Sequence, residues 1–95
     1  MEFKRENCTF TIPDEPNVKQ QLRWLACVSG VEEDERLVRF WNGAKILIQT
    51  WESADMPDYK VDLEKVNSRA IRELVSWAGL EVLTFMNALE ETPKN

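Results

Sequence analysis

The stretch NSRAIRELVSWAGLEVLTFMNALEE, residues 67–91, decides the fold. Ile71, Leu74, Val75, Ala78, Val82, Phe85 and Leu89 recur at three- and four-residue intervals, which puts them on one face of a helix. Asn67 or Ser68 offers a side-chain oxygen as its N-cap. Trp77, Leu80, Leu83 and Met86 widen the apolar face well beyond one stripe. A helix apolar over most of its circumference is either the centre of a bundle or half of an interface. With only two other candidate helices in 95 residues, full coverage is difficult. This helix is therefore the strongest pointer in the sequence to a protein partner.

Upstream, Leu37, Phe40, Trp41, Ala44, Leu47, Ile48 and Trp51 follow the same kind of spacing, which predicts a second helix about four turns long. Glu32-Glu33-Asp34-Glu35 opens it, a carboxylate cluster suited to the positive end of the helix dipole. Gly43 falls mid-helix, where it costs about 1 kcal/mol relative to alanine; it either permits close helix approach or is simply tolerated. Asp55-Met56-Pro57-Asp58 reads as the turn that stops the helix. A first helix is expected with Asp14 as cap and Glu15 and Pro16 in its first turn, ending at Ser29-Gly30. Its expected stripe is Val18, Leu22, Leu25 and Val28, with Trp24 to one side and exposed. Short loops suit antiparallel helix neighbours.

Residues 3–12 read as extended, because Cys8, Phe10 and Ile12 alternate with Thr9 and Thr11 before Pro13 ends the segment. A lone strand leaves its backbone groups without partners. Tyr59, Val61 and Leu63 alternate with charged residues and provide the candidate second strand. Pairing across subunits is the alternative. The expected fold is thus mainly α: a single three-helix domain over 1–95, with an extended arm or strand at 1–13, a helical core at 14–91 and a tail at 92–95. The strand is expected to pair in a minor two-stranded sheet.

Hydrophobic residues make up 43% and charged residues 31%, which is globular rather than disordered composition. Twelve Lys and Arg against 17 Asp and Glu give a net charge of −5, unfavourable for non-specific nucleic-acid binding or an anionic membrane surface. No apolar run approaches the ~20 residues of a bilayer span, and Met1–Asn7 has no apolar signal region, so a cytoplasmic location is expected. Cys8 and Cys27 are far apart and are read as reduced thiols. The chain has no histidine, which removes the commonest general base and metal ligand. It has no nucleophile elbow and no glycine-rich phosphate loop. We therefore expect no catalytic residues, no metal and no cofactor.

Four tryptophans, Trp24, Trp41, Trp51 and Trp77, are dense for this length, and tryptophan is favoured at binding hot spots. Trp24, Trp77, Leu80, Leu83 and Met86 are the predicted partner-facing residues.

Several motifs bear on family. They are Phe10-Thr11-Ile12-Pro13-Asp14-Glu15-Pro16, Gln20-Gln21-Leu22, Phe40-Trp41-Asn42-Gly43-Ala44, Ile48-Gln49-Thr50-Trp51 and Ala88-Leu89-Glu90-Glu91-Thr92-Pro93-Lys94-Asn95. In this layout, which spans nearly the whole chain, the protein resembles the small tail assembly chaperones of long-tailed (siphovirus-type) bacteriophages. The resemblance implies a small, acidic, mostly helical protein of the host cytoplasm. Such a protein coats the tape-measure protein and keeps its apolar faces from aggregating until tail-tube subunits displace it. It also implies no catalytic residues, and some members continue into a longer frameshifted product. Two other readings remain. One is a small acidic inhibitor of a host enzyme or polymerase, resting on Glu32–Glu35 with Asp55 and Asp58. The other is a structural head–tail virion component, which would be a homo-oligomer.

Overall fold

The computed structural model describes residues 1–91, with side chains through Leu89; the predicted tail at 92–95 lies outside the described residues. The chain begins with an antiparallel hairpin of β1 (Glu2–Arg5) and β2 (Cys8–Thr11), with Phe3 opposite Phe10. Helix α1 (Val18–Val28) follows, then a short 3₁₀ turn (Glu33–Glu35) leading straight into α2 (Arg36–Leu47). Strand β3 (Thr50–Ser53) pairs antiparallel with β2, and after a second 3₁₀ turn (Leu63–Lys65) the long helix α3 (Arg69–Glu91) closes the molecule.

The architecture is three helices against a three-stranded sheet of order β1-β2-β3, not a single strand with one minor partner. Three expectations are corrected by it. First, the extended segment 3–12 is two strands that turn at Glu6-Asn7, and it pairs within the chain. Second, the third strand is Thr50–Ser53 rather than Tyr59–Leu63. Helix α2 stops at Leu47 because Ile48 turns to extended geometry (φ −61°, ψ 125°), and the Gln49 amide then donates to the Thr11 carbonyl at 2.8 Å. Ile48, Thr50 and Trp51 are strand-favouring types, and a free ladder on β2 outweighs another helical turn. Tyr59, Val61 and Leu63 are half-buried against the core, as their alternation requires, but no neighbouring ladder accepts them. Third, β3 carries the chain back, so α2 and α3 run in the same direction, not antiparallel. Leu37 and Val38 share a cleft with Ile71 and Val75, while the Phe40–Trp41 backbone meets Gly79.

Helix α1 also starts later than its acidic prelude suggests. Asn17 is the N-cap: its side chain accepts from the Gln20 amide at 2.8 Å, and the Gln20 side chain accepts from the Asn17 amide at 2.9 Å. This reciprocal pair satisfies two amides that would otherwise lack partners. Asp14 meets the terminal ammonium of Met1 instead. At the other end, Gly30 takes φ +63°, the left-handed conformation that terminates helices. Arg39 of α2 closes the same end, donating from Nε to the Cys27 carbonyl at 2.7 Å and from its terminal nitrogen to Ala26 at 3.1 Å.

The core is aromatic. Phe3 stacks on Phe10 at 4.9 Å between ring centres, and Phe10 meets the edge of Trp77 at 5.5 Å. Trp51 bridges Phe10 at 5.5 Å and Trp41 at 5.6 Å, and its indole N–H donates to the Met56 carbonyl at 2.7 Å. The inward residues of the sheet thus rest on α3 and α2. Each fully buried side chain of this size contributes about 1.5–3 kcal/mol. The outward sheet face is polar, with Thr11 and Thr50 hydroxyls 2.7 Å apart. Among the described residues, no helix is long and apolar enough to cross a membrane.

Candidate functional site

A cleft of about 600 Å³ lies between the N-terminal ends of α2 and α3. Leu37 and Val38 form one wall and Ile71 and Val75 the other, with Leu63 and Val66 closing the base. The two helices meet closely at Gly79, beyond the cleft. A β-carbon at Gly79 would lie 3.1 Å from the Trp41 amide nitrogen, so the helices nearly share backbone surface at that point. Two turns earlier no side chain fills the gap, and Leu37 and Val38 stay 46% and 53% exposed. The rim carries Asp34 on the α2 side and Arg69 and Arg72 on the α3 side. Arg69 is engaged by Glu73 at 3.2 Å. An apolar trough with a charged rim fits one face of an amphipathic helix.

A second apolar surface lies on α1. Val18 and Leu22 are 71% and 61% exposed, although the stripe they head was expected to face the core. Helix α1 carries two apolar faces, Val18–Leu22 and Trp24–Leu25–Val28, and only one can pack on α2. The bulkier face is inside: Trp24 is 1% exposed and lies on the backbone of Gly43. Trp24 is therefore a core residue, which corrects the expectation that it is exposed.

The other predicted partner-facing residues divide. Met86 is buried in the core with Val82. Trp77 and Leu83 are half-buried against it, and the Arg5 guanidinium sits 5.6 Å over the Trp77 ring. Leu80 alone of the five is an exposed large hydrophobic residue. The five thus form no common surface. Val18, Leu22 and Leu37, expected on core-facing stripes, are exposed instead, as is Val38.

Cys8 is buried under the sheet, and burial pushes its thiol above the ordinary value, partly offset by the Arg5 charge and a hydrogen bond to Ser53. Cys27 is half-buried at the end of α1. Among the described residues, no group of three His, Cys, Asp or Glu side chains is placed to hold a metal ion. Comparison of the chain with models of known protein families, with curated proteins and with solved structures found no match.

Proposed function

We propose that the protein binds an amphipathic helix of a partner in the cleft between α2 and α3, and that it serves as a tail assembly chaperone for a bacteriophage tape-measure protein in the host cytoplasm. The observation that carries this reading is the exposed pair Leu37 and Val38 lining the cleft between α2 and α3. A folded monomer gains nothing from leaving such a trough open, whereas a carrier of apolar helices needs one. The net charge of −5 keeps a loaded complex dispersed. Leu80, flanked by the half-buried Trp77 and Leu83, is a second contact for a long client on the outer side of α3.

The test is light scattering with a tape-measure fragment, at low and high salt, on the native chain and on Val38→Glu. A complex that persists in salt and is lost in the variant, with the helical circular dichroism unchanged, supports the reading. Binding that ignores Val38→Glu, or the absence of any complex, overturns it. An association with a host enzyme that collapses steeply with salt favours the inhibitor reading through Glu32–Glu35, since screening acts on charge and leaves apolar burial intact.

A further inference from the structure

We propose that the outer face of α1 is a plug for the cleft of a second copy of this chain, giving head-to-tail self-association. The two surfaces complement each other in shape and charge. Val18, Leu22 and Ala26, at i, i+4 and i+8, form an exposed apolar ridge one helix wide, of the kind a trough between two helices accepts. Beside that ridge run Lys19 and Arg23, both exposed, and α1 contains no carboxylate at all. Beside Leu37 and Val38, Asp34 lines the cleft, within the exposed acidic run Glu32, Glu33, Asp34 and Glu35 that leads into α2. Among the described residues the only ion pairs are Met1–Asp14 and Arg69–Glu73, so neither the basic strip nor the acidic run is neutralised within its own chain. Seating the ridge with Lys19 and Arg23 toward the acidic run directs the uncharged Gln21 side of α1 toward Arg72.

The contact is heterologous, because the ridge and the cleft are different surfaces on each copy. It therefore propagates, and it closes only if the rotation between copies completes a ring. A single helix face buries an area at the low end for specific interfaces, so the contact is exchangeable rather than permanent. It also competes with any partner helix for the same trough. The inference shares the cleft with the proposed client site but does not rest on the tape-measure reading, because its occupant is the α1 ridge of a second copy.

The test is sedimentation velocity on the native chain, on Leu22→Glu and on Val38→Glu, each alone and then mixed. The native chain is expected to gain mass with concentration. Each variant, checked for unchanged circular dichroism, is expected to self-associate roughly tenfold more weakly or worse. Their mixture is expected to form a one-to-one dimer that grows no further, since Val38→Glu keeps an intact ridge and Leu22→Glu keeps an intact cleft. A native chain that stays monomeric up to about 1 mM overturns the proposal. So does a mixture that stays monomeric, or a Leu22→Glu chain as associated as the native one. Leu22→Glu is expected to retain binding of a tape-measure fragment, so failure of the self-contact and failure of the client reading are read separately.

Discussion

The indole of Trp24 lies against the backbone of Gly43, so close that a β-carbon there would fall 2.8 Å from Cδ1 and 3.2 Å from Nε1. The glycine is what lets α1 approach α2, and the indole, 1% exposed, has nowhere to move. Gly43→Ala should therefore destabilise the protein. Overpacking costs about 1–3 kcal/mol, and the alanine returns only about 1 kcal/mol in helix propensity. A lower midpoint in urea unfolding, with an unchanged slope, is the expected result. A stabilised variant would show that the indole has room.

Trp24 and Trp41 each bury an indole N–H that meets no acceptor among the described residues. Trp24→Ala should cost about 3–5 kcal/mol through the cavity it leaves. Trp24→Phe should cost far less, about 1 kcal/mol, because it also removes an unpaired buried donor. Leu80→Glu, on the exposed side of α3, should stay within about 0.5 kcal/mol of the native chain. Chemical denaturation of the three variants in parallel checks the assignment of Trp24 to the core and Leu80 to the surface.

Arg39 ties the C-terminal carbonyls of α1 to α2. Charge-assisted bonds of this kind contribute about 1.5–3 kcal/mol. Arg39→Ala should loosen α1 selectively, with faster amide exchange at Leu25–Ser29 and little change in α3. Uniform acceleration across all three helices would mean that α1 is not an independent unit.

Burial raises the Cys8 thiol above its ordinary value of 9.0. The folded state therefore holds this proton more tightly than the unfolded state does. Stability from the group is complete below pH 9.0 and is lost as pH rises through the folded value. Cys8→Ala should flatten the alkaline decline in stability. At neutral pH, a thiol reagent should modify the half-buried Cys27 well before Cys8.

Much of the fold was legible where one local rule acted alone. The β2 alternation Cys8, Phe10, Ile12, the glycine stop at Gly30, the Ser68 start of α3 and its Leu74–Val75–Ala78–Val82 face all appear as read. Reading failed where two rules competed. Trp51 fits a helical stripe by spacing and a strand by type, and only the vacant ladder on β2 decides between them. Asp14 and Asn17 are both good caps, and the Gln20 side chain, three residues on, selects Asn17. The candidate surfaces were the least legible. Choosing which apolar face of α1 is buried requires knowing that Gly43 makes a slot for an indole. The cleft is assembled from α2, α3 and the segment that joins them, a juxtaposition that no periodicity encodes.

The pairing of the first strands with the last helix has a consequence for synthesis. Phe3 and Phe10 leave the ribosome early, yet the rings that cover them, Phe85 and Trp77, belong to α3. The hairpin can form locally, but its apolar side has no lid until translation has passed the middle of α3. Until then the nascent chain displays a phenylalanine pair, and until β3 is made it also displays a free β2 edge, features that invite aggregation. Folding of this domain thus waits on the synthesis of α3. Slowing elongation would prolong the exposure rather than help the chain fold.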